Sequence, residues 1–197
     1  MRKLLLVTMV MIWSISLVNA TYTDESDFNV VRSPDGNSVI ITGYVGTSQF
    51  VNIPPQIRNL PVMQIGLRAF NDRNLISAII PNSVTSIGGL AFADNSLKNA
   101  TVGNGVITIG GFAFSNNKLT DIVIPDSVIY ILYGAFEFNR LISITIPDSV
   151  TSIRDGAFRH NQITSLTIHD NVNSIGRRAF ENNRLNSHNY GKRYYPY

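Results

Sequence analysis

The chain has 197 residues, with 16 lysines and arginines, 13 aspartates and glutamates, and no cysteine. The lack of cysteine excludes disulfides, thiolate catalysis and cysteine-ligated metal sites. The formal net charge of +3 falls to +1 when Arg2 and Lys3 are left out (14 basic residues against 13 acidic), and this weak balance argues against a nucleic-acid partner.

Residues 1–20 have the pattern of a secretory signal: two basic residues, an apolar run over 4–18, and a small-residue cleavage site that ends at Ala20. The alternative is an uncleaved anchor, but the run is shorter than the roughly 20 residues that span a bilayer. No second apolar segment follows, so we expect no integral membrane segment after signal cleavage. We expect an exported protein, secreted or held at the cell surface or envelope. The lack of cysteine fits a bacterial protein best.

Residues 21–60 precede the regular part of the chain and predict an N-terminal β cap. The turn signature Ser33-Pro34-Asp35-Gly36 separates two apolar segments, 28–31 and 39–42, which predicts a β-hairpin. A five-residue insertion around 55–61 then lengthens the first corner. We expect this cap to cover the apolar face of the first repeat.

An internal repeat occupies residues 61–185. An Ala-Phe pair recurs every 22 residues, an aliphatic residue follows every phenylalanine at an offset of 5, and further aliphatic residues follow the first five phenylalanines at offsets of 10, 14 and 17. The phenylalanines are Phe70, Phe92, Phe114, Phe136, Phe158 and Phe180. Self-similarity at a fixed period predicts a solenoid, because each unit is too small to fold unless its neighbours cover its apolar faces.

The unit from Leu141 to Asn161 shows what one coil requires. Ile144 and Ile146 point to one face and Thr145 to the other, as in a β-strand. Pro147 lacks a donor N–H and ends the pairing. Gly156-Ala157-Phe158 predicts a tight turn or a short helical piece. We therefore expect short parallel β-strands joined by turns or short helical pieces.

The run I-P-D-S-V-T-S-I-x-x-G-A-F-x-x-N, from Ile146 to Asn161, resembles the BspA-like, treponemal-type leucine-rich repeat. The resemblance covers roughly residues 50–185 and implies a leucine-rich repeat solenoid of about six 22-residue coils with an N-terminal β-hairpin cap. That family often has Cys, and sometimes Asn, three residues after the Phe. Here Asn95, Asn117, Asn139, Asn161 and Asn183 hold that position, and Arg73 is the exception. The resemblance implies a surface or secreted binding protein, adhesin-like in function.

The outward face of the stacked strands is the candidate binding surface. The sequence predicts a flat, mostly neutral field of hydroxyl, amide and β-branched side chains, suited to an extracellular protein or glycan ligand. The alternative is that these residues only favour strands and bind nothing. The outward positions are Ser77, Ile79, Asn99, Thr101, Asp121, Val123, Ser143, Thr145, Ser165 and Thr167.

Asp126, Asp148 and Asp170 occupy equivalent positions and predict a column of carboxylates spaced by about 4.8 Å. Such a column could bind Ca²⁺. The alternative is that each carboxylate caps its own turn, as Asn82 and Asn104 would in the earlier coils. We favour capping and expect no metal.

No constellation in the sequence points to catalysis. His160, His169 and His188 lie at positions that other coils fill with unrelated residues, so nothing indicates that they converge. The asparagines after each phenylalanine are interpreted as structural, bonding main-chain groups that the turn leaves unpaired. We expect neither enzyme activity nor a cofactor.

The C-terminal residues 186–197 are basic and tyrosine-rich, and predict a cap or tail. Residues 21–150 carry 7 basic and 10 acidic side chains, a net of −3, whereas 151–197 carry 7 and 3, a net of +4. This polarity allows a second interpretation, a structural envelope protein with weak head-to-tail self-association. We favour a non-catalytic, adhesin-like binding protein.

Overall fold

The computed structural model describes residues 21–185. The predicted signal segment 1–20 and the predicted C-terminal cap or tail 186–197, with His188, lie outside the described residues.

The described chain contains fourteen short strands and one 3-10 turn, Glu25–Asp27. The strands are β1 (Phe28–Arg32), β2 (Val39–Tyr44), β3 (Phe50–Asn52), β4 (Gln56–Ile57), β5 (Leu60–Ile65), β6 (Ser77–Ile79), β7 (Ser86–Ile87), β8 (Asn99–Thr101), β9 (Thr108–Ile109), β10 (Tyr130–Ile131), β11 (Ser143–Ile146), β12 (Ser152–Ile153), β13 (Ser165–Ile168) and β14 (Ser174–Ile175).

The predicted N-terminal hairpin is confirmed. Strands β1 and β2 pair antiparallel, with Arg32 opposite Val39. The predicted corner insertion forms a second, smaller hairpin, because β4 pairs antiparallel with the start of β5. Arg58 and Asn59 make its turn with φ of 53° and 61°, the two left-handed residues that a tight hairpin turn requires.

Each coil contributes to two sides of the solenoid. On one side, β5, β7, β9, β10, β12 and β14 pair in parallel as a continuous sheet that extends the N-terminal hairpin. This second strand in each coil forms where the sequence predicts only an inward-facing aliphatic pair. On the other side lie two separate sheets, β3-β6-β8 and β11-β13.

The Gly-Ala-Phe segment forms a turn in the described coils, which resolves the choice between a turn and a short helical piece. Two positions of that turn have positive φ in all six coils, two residues before the phenylalanine and two residues after it. The first set comprises Arg68, Leu90, Phe112, Gly134, Gly156 and Arg178, and the second comprises Asp72, Asp94, Asn116, Phe138, His160 and Asn182. Only two of these twelve residues are glycine, so most of these turns carry some backbone strain.

The six phenylalanines form one stacked column at the centre of the core. Their ring centroids lie 4.8–5.4 Å apart with interplanar angles of 11° or less. Tyr44 of the hairpin continues the column, 5.5 Å from Phe70. Its hydroxyl donates to the carbonyl of Ser48, and burial together with the Asp27 carboxylate raises the pKa of Tyr44. The cap therefore closes the first coil with an aromatic ring.

The asparagine column is structural, as predicted. The Oδ1 of Asn117 accepts from the main-chain N–H of Leu97 at 3.0 Å. Its Nδ2 lies 2.9 Å from the carbonyl oxygen of Phe92, in the preceding coil, and within 3.2 Å of the carbonyls of Phe114 and Ser115 in its own. The same pattern recurs at Asn95, Asn139, Asn161 and Asn183. Each amide thus joins two coils through main-chain groups inside the core.

We predict that Asn117→Ala lowers the free energy of unfolding by about 2 kcal/mol, because it leaves the buried N–H of Leu97 without a partner and removes one of the two donors from each of three carbonyls. Denaturant unfolding of residues 21–197 measures the change. The control is Asn173→Ala, at an exposed position, with an expected change of less than about 0.5 kcal/mol. Equal unfolding midpoints for the two variants would contradict the structural role of the column.

We predict that Gly156→Ala costs about 1 kcal/mol of stability through backbone strain alone. Gly156 has φ of 66°, but an added Cβ would meet no atom closer than 3.9 Å. The matched control is Gly111→Ala, which also has room for a Cβ and has no left-handed φ. Thermal melting compares the two, and a Gly111→Ala variant as destabilised as Gly156→Ala would remove strain as the explanation.

Candidate functional site

The predicted outward positions lie on one side of the solenoid, which is called the strand face below. In β6 and β8, Ser77 pairs with Asn99 and Ile79 with Thr101. In β11 and β13, Ser143 pairs with Ser165 and Thr145 with Thr167. Nine of the ten predicted side chains are exposed, including Asp121 and Val123 between the two sheets, and Ser77 is half-buried. The predicted alignment is therefore present on both sheets.

Strand pairing is not continuous across the strand face. Residues Asp121 to Ile124 lie between β8 and β11 but pair with neither. Within residues 21–185, the main-chain N–H and C=O groups of these four residues make no hydrogen bond. The strand face is consequently divided at the coil that carries Asp121 and Val123.

Two features of the sequence coincide with the break. The preceding corner contains Gly103 and Gly105, whose backbone approaches Pro81 and Asn82 so closely that a Cβ on either glycine would collide with a carbonyl oxygen. This corner therefore packs closely against the preceding coil. In addition, the inward residue between the two outward positions changes from Ala100 to Ile at position 122, and the larger side chain needs more room inside the coil.

A cleft of about 700 Å³ opens at the break. Residues 121–124 and Asp126 form one wall, and residues of the next coil, from Ser143 to Ser149, form the other, with His169 at the end. The Oγ atom of Ser149 is buried and has no hydrogen-bond partner among the described residues. The cleft therefore combines unpaired main-chain groups with an unpaired hydroxyl, which is an arrangement suited to a ligand with polar groups of its own.

The charged groups of the cleft are mostly carboxylates. Asp121, Asp126 and Asp148 line it, and the side chain of Asp148 is 70% exposed. One Oδ of Asp148 lies 3.2 Å from Nδ1 of His169. Such a cleft favours a ligand that carries hydrogen-bond donors or a positive charge.

Asp126, Asp148 and Asp170 do not come together as a cluster of side chains. In the part of the chain that the structure describes, no three Asp, Glu, His or Cys side chains lie close enough together to hold a metal ion. The capping interpretation is wrong for Asn82, because its Oδ1 accepts from the N–H of Asn104 in the next coil at 2.8 Å instead of capping its own turn. This bond also joins the glycine-rich corner to the preceding coil.

The two described histidines have different surroundings. His160 stacks on Phe138, with ring centroids 4.3 Å apart, and lies beside Asn182. His169 lines the cleft, as do Pro147 and Ser149, and the sequence did not identify these three as candidates. The 22-residue repeat places these three residues close to the outward positions in each coil. The cleft that they line, however, exists only because residues 121–124 do not pair with the neighbouring strands.

None of the helices within residues 21–185 has the length and hydropathy of a membrane span.

The sequence profile of the BspA type leucine-rich repeat region matches residues 63–186 in six copies. The fold is similar to the leucine-rich repeat protein of T. pallidum, with a TM-score of 0.64 and 26% identity over 86% of this chain and 92% of that one. It is also similar to a leucine-rich cell surface protein of Faecalibacterium prausnitzii A2-165, with a TM-score of 0.63 and 29% identity over 84% of this chain. This chain spans only 55% of that relative.

The pneumococcal vaccine antigen PcpA shares the fold, with a TM-score of 0.64 at 21% identity, over 80% of this chain and 48% of that one. No protein of curated function matches the sequence significantly. The six-copy match, the stacked phenylalanines and the asparagine column agree: the chain belongs to the BspA-type leucine-rich repeat family.

Proposed function

We propose that this chain is a non-catalytic, adhesin-like binding protein, exported from a bacterial cell, that binds a segment of an extracellular protein at the cleft of the strand face. The observation that carries the proposal is the run of unpaired main-chain groups from Asp121 to Ile124 in a 700 Å³ cleft. Elsewhere in the solenoid, main-chain N–H and C=O groups form hydrogen bonds with neighbouring coils. The unpaired run is therefore a place where a partner can supply the missing hydrogen bonds.

The chemistry of the cleft favours a polypeptide with a basic side chain. A polypeptide has both N–H and C=O groups, and these complement the free donors and acceptors of residues 121–124. A lysine or arginine complements Asp121, Asp126 and Asp148 at the rim. Val123, which is 75% exposed, provides apolar contact beside these groups.

The cell surface is the proposed place of action. The similar protein of F. prausnitzii is described as a leucine-rich cell surface protein. The predicted export signal at residues 1–20 supports the same location for this chain.

We predict that Val123→Lys abolishes binding of the extracellular polypeptide. The substitution puts a long cationic side chain in the cleft, at the place proposed for the partner's lysine or arginine. Residues 21–197 are screened on an array of extracellular matrix proteins, and the dissociation constant of each hit is measured by surface plasmon resonance. The expected loss is at least about tenfold. The control is Val45→Lys, at a valine of the N-terminal cap that is 54% exposed.

An array with no hit above background contradicts the proposal, as does equal binding by the two valine variants. Binding only to immobilised copies of the chain itself would favour the head-to-tail self-association instead.

We predict that the double variant Asp126→Asn/Asp148→Asn weakens the same interaction by about fivefold and flattens its dependence on salt, because two rim carboxylates no longer attract a basic partner. Binding measured at low and high sodium chloride checks this. The control, Asp72→Asn, removes a carboxylate on another side of the solenoid. A salt dependence unchanged in the double variant would remove the electrostatic part of the proposal.

A further inference from the structure

A second, smaller pocket lies on the ridge formed by the turns that precede the phenylalanine column. Its volume is about 360 Å³, and Gly134 and Gly156 form part of its lining. Phe112 and Tyr133 lie at one end and Arg177 at the other. It shares no residue with the cleft of the strand face.

Phe112 places an aromatic ring at the left-handed turn position that all six coils share. Its φ is 56°, which is unfavourable for a bulky side chain, and glycine holds the equivalent position in the next two coils. The residue is nevertheless 42% exposed, so its ring gains only part of the stabilisation of a buried aromatic. The exposed part of the ring is available for contact with a ligand.

The ring of Phe112 has a defined place over the main chain of the next coil. It lies over Gly134, where a Cβ would collide with the ring edge. Tyr133, 52% exposed, precedes that glycine, and its carbonyl accepts from the N–H of Phe112 at 2.7 Å. The two aromatic residues are therefore held side by side by the backbone and present an apolar surface to solvent.

Charged side chains close the other part of the pocket. Arg159 lies between Glu137 and Glu181, with its Nη1 3.5 Å from an Oε of Glu137 and its Nε 2.7 Å from an Oε of Glu181. Arg178 also contacts Glu181, at 3.7 Å. These contacts occupy two of the three arginines and fix their positions across three coils.

Arg177 is the arginine left for a ligand. Its main-chain N–H donates to Oδ1 of Asp155 at 3.0 Å, but its guanidinium makes no ion pair among the described residues. With Glu181, which pairs with two of the three arginines, the charges at the pocket balance at three positive and three negative, so the cation available to a ligand is Arg177. A free guanidinium presents a planar set of donors that matches a carboxylate.

We propose that this pocket is a binding site for an acidic sugar residue, one with a pyranose ring and a carboxylate. The apolar face of the ring lies against Phe112 and Tyr133, the carboxylate binds Arg177, and the Asp155 carboxylate accepts hydrogen bonds from sugar hydroxyls. The volume fits one or two sugar rings. The chain thus has two sites on different sides, a polypeptide cleft and a glycan pocket.

Saturation-transfer NMR and calorimetry on residues 21–197 test the pocket with three probes: 3′-sialyllactose, a hyaluronan tetrasaccharide and uncharged lactose. We expect at least one acidic probe to bind about tenfold more tightly than lactose. Phe112→Gly removes the ring and at the same time relieves the left-handed strain, so lost binding cannot be attributed to misfolding. Arg177→Gln removes the charge at an exposed position.

Each variant has a matched control outside the pocket. Tyr130→Ser removes a tyrosine that is 45% exposed on β10, and Arg184→Gln removes an exposed arginine. We expect Phe112→Gly and Arg177→Gln to weaken binding of the acidic probe about tenfold, and the two controls to bind as the parent chain does.

Binding of neither acidic probe overturns the proposal, and so does equal loss in variants and controls. If a short peptide with a free aromatic C-terminus binds and the sugars do not, the pocket is a peptide site and the glycan assignment is wrong. The Val123→Lys variant binds the sugar normally if the two sites are independent.

Discussion

The hydrogen bonds of the buried asparagines hold this solenoid together. A 22-residue coil has to turn sharply beside its phenylalanine, and two left-handed residues in each turn direct main-chain N–H and C=O groups into an apolar interior. The asparagine side chain provides an acceptor and two donors at that point, and it bonds to its own coil and to the preceding one. Without it, the stack of phenylalanine rings would enclose unpaired polar groups, which is energetically costly.

A solenoid in which neighbouring coils form hydrogen bonds with each other's main-chain groups has few places for a ligand. Both candidate sites are at departures from the repeat. The cleft opens after the corner that contains Gly103 and Gly105, which lies close against the preceding coil. Residues 121–124, in the next coil, have no pairing partners there. The smaller pocket opens where the left-handed turn position changes from Phe112 to glycine in the next two coils, and the Phe112 ring extends over the first of those glycines. In this chain, the regular residues form the core and its hydrogen bonds, and both proposed binding sites lie at irregular residues.

Periodicity made much of the architecture predictable. The spacing of Phe92, Phe114 and their equivalents identified the core column, and the asparagines three residues later were identified as partners of the main chain. A turn of four residues, 33–36, was enough to place the hairpin. These inferences succeeded because each depends on local chemistry or on the 22-residue spacing, and both can be read directly from the sequence. The prediction that Asn82 caps its own turn failed because its partner comes from another coil.

The sequence by itself determined the repeat, the inward residues and the outward positions of the strand face, since a side chain's direction in a strand follows from alternation alone. Tertiary structure decided whether adjacent strands pair. Pairing depends on the distance between the main chains of neighbouring coils. That distance responds to small differences, such as alanine at position 100 and isoleucine at position 122, or the close approach of Gly105 to the preceding coil. A cleft is a property of such distances, and no single coil contains the information that places it.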